Sequence, residues 1–304
     1  MEIRELDPER DADACLALLR AASPHVVTSR AAWLHRVQAV PEWAKLCGFV
    51  AVADGAVIGE SYGCLSLSGD GSHAVCSVIV DPGWRRRGVG TRLFEPVAAR
   101  FSANLLARFH ENDAGNAFAS GLGFRHVRAE PESVLDVQAF QGSVPEGVDL
   151  RPLAATDPRD AYLADVEATL DMPATEEIQR MPYEEWEEHV LRSPLLAADG
   201  SFVAYADGEP AAVSLLVAAN GRSANMFTGT RRAFRGRGLA RAAKVASIVW
   251  AREHGIHEMA TSNDETNAPM LAINRKLGFV PAGRRVEWLR EGTASSPAPQ
   301  APAM

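Results

Sequence analysis

Two short stretches of arginine and glycine carry the clearest chemical signal in this 304-residue chain. The first is Arg86-Arg87-Gly88-Val89-Gly90-Thr91 and the second is Arg235-Gly236-Arg237-Gly238-Leu239-Ala240-Arg241. Each follows an apolar run and leads into helical periodicity: Val89, Leu93, Val97 and Phe101 recur every four residues, and Leu239, Ala242, Ala243, Ala246, Val249 and Trp250 trace one helical face. A strand that turns through glycine straight into a helix presents free backbone N–H groups at the positive end of a helix dipole, and glycine lets a ligand approach them. Such a turn can bind an anion. It is not a nucleoside-triphosphate loop, because no Gly-Lys-Ser/Thr follows, nor a dinucleotide fingerprint, because Leu93 and Arg241 stand where a third small residue belongs. One such hexapeptide is equally well read as a tight turn with solvated arginines. Two of them in the same context favour an anion site.

The other reactive side chains form weaker patterns. Cys15, Cys47, Cys64 and Cys76 contain no Cys-x-x-Cys and are expected to be buried reduced thiols. His254 and His257 flank Gly255, which reads as a helix end, so no metal site is expected. Lys and Arg number 31 against 39 Asp and Glu, and the net charge of −8 argues against a nucleic-acid partner. Phosphate-backbone binding by the two arginine turns stands as a rival, which predicts a steep salt dependence. With 47% hydrophobic and 23% charged residues the chain is globular in composition. No apolar run reaches the roughly 18 residues that span a bilayer. The opening Met-Glu-Ile-Arg-Glu lacks the order of a signal peptide, so a cytoplasmic protein without a membrane partner is expected.

The elements that must position the turns repeat along the chain. Ile3-Arg4-Glu5-Leu6 before Asp7-Pro8 recurs as Leu150-Arg151-Pro152-Leu153 before Asp157-Pro158, and Gly121-Leu122-Gly123-Phe124 recurs as Lys276-Leu277-Gly278-Phe279. With the arginine turns between them, the landmarks keep one order, and the length suits two domains. Domains are expected at 1–140 and 148–290, joined through a Gly- and Pro-containing stretch, with an Ala/Pro/Ser-rich disordered tail at 291–304. In the first half, strands are predicted at 49–52 and 56–67 around an Asp54-Gly55 hairpin, and at 74–80 as a central strand covered on both faces. The second half repeats them at 202–206, 211–217 and 223–230. Pro96 is expected to bend the first amphipathic helix.

On these residues the chain resembles the GNAT superfamily of acyl-CoA-dependent N-acyltransferases, in its tandem two-domain form, up to about Arg290. The resemblance implies an α/β fold with a mixed sheet, two tandem GNAT-like domains and acetyl-CoA as cofactor. It implies that both arginine turns bind the CoA pyrophosphate through backbone amides. The preceding strands would pair with the pantetheine arm through Val78, Ile79 and Val80, and through Thr228, Gly229 and Thr230. A second family landmark is an Asn eleven residues before a Gly-Phe. Asn112 and Asn267 satisfy it, and each also reads as a helix N-cap. Seven residues further on, where many members carry a Tyr that protonates the leaving thiolate, this chain has Ala119 and Asn274. No catalytic acid is assigned.

The activity implied is transfer of an acetyl group to a primary amine of a small molecule or peptide. An alkylammonium of pKa about 10.4 is almost wholly protonated at neutral pH, so a base is expected. Asp264, Glu265 and Glu287 are the candidates, although each is more simply a surface carboxylate. Residues 175–192 hold Tyr183, Trp186 and the acidic Glu184, Glu185, Glu187 and Glu188, either a cation-attracting rim or a solvated helix face. Chemistry is expected in the second half, where Gly229 suits a bulged strand and an adjacent backbone N–H could hold the oxyanion. The alternative is a CoA-binding protein without catalysis.

Overall fold

The computed structural model describes residues 1–292; most of the tail expected to be disordered, 293–304, lies outside the described residues. The first half runs β1 (Glu2–Glu5), α1 (Pro8–Ala22), α2 (Arg30–Gln38), β2 (Cys47–Ala53), β3 (Ala56–Leu65), β4 (His73–Val80), α3 (Val89–Ala98), β5 (Asn104–His110), α4 (Asp113–Gly121) and β6 (Arg125–Asp136). The second repeats it as β7 (Asp149–Pro152), α5 (Pro158–Thr169), α6 (Tyr183–Trp186), β8 (Phe202–Ala206), β9 (Glu209–Ala219), β10 (Arg222–Thr230), α7 (Leu239–Glu253), β11 (Glu258–Ser262), α8 (Ala268–Lys276) and β12 (Val280–Arg290).

Repeated sequence makes repeated local structure. Asp7 and Asp157 cap α1 and α5, each accepting a backbone N–H from inside the first turn, with proline next at a position that has no N–H to lose. The β2–β3 and β8–β9 hairpins turn through Asp54-Gly55 and Asp207-Gly208, with φ of 51° and 78° in the first and 56° and 83° in the second. Positive φ at both central residues matches the right-handed twist of the strands. The apolar stripe of α3 packs Val97 and Phe94 against Ala74, Cys76 and Leu105, and Pro96 lies within that helix. On the opposite face α1 packs Ala12 and Cys15 on Val50. Cys15 and Cys76 are buried, whereas Cys47 and Cys64 are half-buried; all four are free thiols.

The strands form one sheet of order β1-β2-β3-β4-β5-β12-β6-β11-β10-β9-β8-β7. The last strand of each half is exchanged. β12 pairs antiparallel with β5 of the first half, from Arg285 opposite His110 to Arg290 opposite Leu105, while β6 pairs with β11 of the second, from Glu258 opposite Asp136 to Ser262 opposite Glu132. β6 and β12 also pair with each other at the centre. Neither half is therefore completed by its own strands alone.

Candidate active site

The first arginine turn stands at the mouth of a cleft of about 990 Å³. The parallel ladder between β4 and β5 ends at Cys76 opposite Ala107, yet β4 continues to Val80 and β5 to His110. The two strands separate there, leaving the β5-facing backbone groups of β4 without a ladder partner. Val78, Ile79 and Val80 line the cleft, and so do Arg86, Gly88, Val89, Gly90 and Thr91 of the turn. This opening explains why the 74–80 run is buried at its start and only half-buried where it was expected to be covered on both faces. Gly88 caps α3 with φ 77°, a left-handed conformation that costs any residue with a Cβ. A Cβ on Gly90 would stand 3.0 Å from the Phe118 ring. Arg85 Nε donates to Val80 O at 3.1 Å, and Arg87 lies over the Trp84 ring at 5.0 Å, outside the cleft lining. Neither these two nor Arg86 pairs with a carboxylate among the described residues, so the turn keeps its positive charge for an anion. Asn112 caps α4 by accepting the Gly115 N–H at 2.8 Å and also lines the cleft, as does buried Ala119.

The cleft passes through the sheet to the face covered by α1 and α2, where sequence reasoning named no residue. Glu60 on β3 lies opposite Ile79 and is only 4% exposed. It lines the cleft with Tyr62 and Arg36. Burial raises its carboxyl to about 7, opposed by a hydrogen bond from the Cys15 thiol and the positive charge of Arg36. The available signal was a lone acid inside an otherwise uncharged strand. Further along, His110 Nδ1 is 3.3 Å from Glu132 Oε2, a buried atom with no hydrogen-bond partner. Burial holds the His110 ring below its ordinary pKa against the attraction of Glu132. Met226 and Ser262 of the second half close this end.

The second turn has the same backbone and different surroundings. Arg235 and Arg85 share φ −65° and ψ 158°, and Gly238 has φ 76° beside 77° at Gly88. Yet none of Thr228, Gly229, Thr230, Arg235, Gly236, Arg237, Gly238, Leu239, Ala240, Arg241 or Asn267 lines the cleft. Arg232 and Arg235 both pair with Asp171, and Arg237 pairs with Asp207 at 2.7 Å. The bulge of β10 falls between Asn225 and Phe227, not at Gly229. A Cβ at Gly229 would meet Ala168 of α5 at 2.5 Å and the Phe227 ring at 2.7 Å, so this glycine admits the protein's own helix. By register Glu60 and Tyr62 correspond to Val213 and Leu215, which are fully buried beside Ala161, Ala164 and Trp186. Asn274 accepts from Lys244 Nζ at 2.6 Å and donates to Asn263 at 2.7 Å. Lys244 is wholly buried, and burial lowers its pKa to about 7. Asn267 serves as the cap of α8, accepting the Met270 N–H at 3.2 Å.

Three other expectations change. Asp264 and Glu287 are buried rather than on the surface, and both are committed to arginines, Asp264 to Arg128 at 3.0 Å and Glu287 to Arg108. Glu265 is exposed and pairs with Arg284 at 3.1 Å. Trp186 forms no rim: it is 2% exposed and its Nε1 donates to Asp165 at 2.7 Å.

Residues 45–126 match the family profile described as an acetyltransferase (GNAT) domain, and residues 164–279 match that of the acetyltransferase (GNAT) family. A mycothiol acetyltransferase of Acidothermus cellulolyticus is 28% identical over 247 residues, 72% of each chain. Another, of Clavibacter michiganensis subsp. michiganensis, is 26% identical over 78% of each. Among solved structures, a tandem GNAT protein from the clavulanic acid biosynthesis pathway superposes with a TM-score of 0.74 at 22% identity, covering 97% of this chain and 99% of that one. A GCN5-related N-acetyltransferase from Sphaerobacter thermophilus gives 0.73 at 20% identity over 95% of both. At these identities the structural likeness is one of fold. With a GNAT match in each half and a tandem architecture end to end, the chain belongs to the GNAT family of acyl-CoA-dependent N-acetyltransferases, as a two-domain member.

Proposed function

We propose that this protein transfers an acetyl group from acetyl-CoA to a primary amine, and that the chemistry runs in the first half, opposite to the expectation from sequence. The observation that carries the reading is an unneutralised Arg/Gly turn at residues 86–91 lining one cleft with a buried carboxyl, Glu60; in the second half β10 and β11 also part, after Ala224 and Ala260, but the turn arginines pair with Asp171 and Asp207 and a buried valine stands at the Glu60 position. The backbone amides of Gly88 to Thr91 and the cationic Arg86 suit the CoA pyrophosphate, and the unpaired edge of β4 suits the amides of the pantetheine arm.

Glu60 suits the task of taking a proton from the substrate ammonium, so that the neutral amine attacks the thioester carbonyl. A carboxyl raised to about 7 is half ionised at neutral pH, and proton transfer to it from an ammonium of pKa 10.4 costs roughly 4.6 kcal/mol, against about 8.3 kcal/mol for an ordinary Glu. Its burial keeps water from competing for the proton. A backbone N–H of the open β4 edge is in position to stabilise the charge that develops on the carbonyl oxygen. Ala119 offers no proton to the departing sulfur, and a thiol of pKa about 8.5 leaves without one. Glu132, buried at the far end, favours an acceptor that arrives as a cation.

The curated relatives are named for mycothiol; the acceptor proposed here is the broader class, a primary amine of a small molecule or peptide. Release of free CoA thiol in the presence of an amine panel tests the reading. Amine-dependent turnover is expected, with kcat reduced about 10²- to 10⁴-fold in Glu60→Gln and acetyl-CoA affinity little changed. No thiol release above the uncatalysed background with any amine, although acetyl-CoA binds, would leave the non-catalytic CoA-binding reading.

A further inference from the structure

We propose that Asp70, His73 and Glu176 form a binding site for one zinc-class divalent ion that fastens the β3–β4 turn of the first half to the loop after α5 in the second. One ligand atom from each of the three residues lies within 4.8 Å of the other two, and His73 Nδ1 stands 3.6 Å from Glu176 Oε2. A tetrahedral ion with bonds of 2.0 to 2.2 Å separates neighbouring ligand atoms by about 3.4 Å, so His73 and Glu176 already hold that spacing. Asp70, exposed at the tip of the turn, has only to swing inward.

The independent observation is Glu176 itself. Its side chain is 4% exposed; Oε1 accepts from the Ser66 hydroxyl, and Oε2 is buried with no hydrogen-bond donor. A buried carboxylate oxygen without a partner is costly, and a cation is the partner that satisfies it. Gly69 belongs to the same arrangement, since a Cβ there would fall 2.0 Å from that oxygen. One imidazole with two carboxylates suits zinc and its neighbours better than magnesium or calcium, which take all-oxygen sites. With the ion on Nδ1, in place of the Ser72 hydroxyl that meets it at 2.7 Å, the imidazole proton sits on Nε2, 3.3 Å from the Asn104 carboxamide, which accepts it after a half turn that gives up the Gly292 N–H.

The place in the fold gives the ion a structural role. His73 opens β4 at the end opposite the Arg/Gly turn. The loop bearing Glu176 crosses onto the first half through Gln179 N–H to Ser68 O at 2.8 Å, and Thr175 donates to Glu287 of β12. An ion at this point closes that strap. No spacing rule could reveal the site from sequence, because Glu176 comes from the other half of the chain.

The test uses the full chain freed of metal by chelation, then titrated with zinc chloride by calorimetry and thermal unfolding. One ion per chain is expected, with Tm raised by about 5 °C at a hundredfold excess over Kd. Binding should vanish in His73→Asn and Glu176→Gln. Asp70→Asn, on an exposed residue that cannot threaten folding, should weaken it at least tenfold. Cobalt substituted for zinc should show ligand-field bands without thiolate charge transfer. Absence of binding to the wild-type chain, binding that survives all three substitutions, or a cobalt spectrum reporting Cys47 or Cys64 each overturns the proposal.

Discussion

Glu60 shows how much a single side chain can alter by its surroundings. Its pKa near 7 exceeds the value of about 4.3 for an unfolded Glu, so the folded state binds the extra proton. The associated stability is therefore full below about pH 4.3 and is lost as pH rises through 7, a change on the order of 3 kcal/mol. Activity is expected to run the other way, because the ionised form is the proposed base. kcat/KM is expected to rise with pH along a limb of apparent pKa near 7, and Glu60→Gln should flatten that limb while making the protein at least as stable above pH 7 by urea titration. A limb unchanged in the variant would remove Glu60 from proton transfer. The glycines were legible because a turn with φ of 77° needs them whatever surrounds it. Glu60 was not, because an acid in a strand declares its role only once α1 and α2 have buried it.

At the scale of elements, strands and helices followed from local pattern: the Asp-Gly hairpins, the Asp-Pro caps and the apolar stripes all lie where the sequence places them. What local pattern could not convey is how differently two matching turns are surrounded. That depends on α5 lying against Gly229, on Asp171 drawing in two arginines, and on Lys244 filling the space beside Asn274. Lys244 sits on the buried side of α7 with Ala243, Ser247 and Ile248, and its folded pKa of about 7 lies below the unfolded 10.4. The unfolded chain thus holds more protons between those values, so this group makes stability rise with pH from about 7 to 10. Lys244→Met should remove that rise in urea titrations across the range. A slope that persists would place the titration elsewhere.

At the scale of the whole molecule, the exchange of β6 and β12 ties two repeats into one sheet. Repeats in sequence announce two similar folds and are silent about which strand completes which, because pairing partners at a sheet centre are fixed by tertiary fit. A fragment 1–140 lacks β12 and so exposes the edge of β5 beside the cleft. The full chain is expected to unfold in one calorimetric transition, whereas the fragment alone should aggregate or fail to bind acetyl-CoA until 148–290 is supplied. Two independent transitions would contradict this coupling. The account as a whole rests on the first half holding the acyl donor, and calorimetric titration of the intact chain with acetyl-CoA tests that most directly. One molecule per chain is predicted, with binding abolished by Gly88→Val and retained in Gly238→Val; retention in Gly88→Val together with loss in Gly238→Val would put the site in the second half and contradict the account.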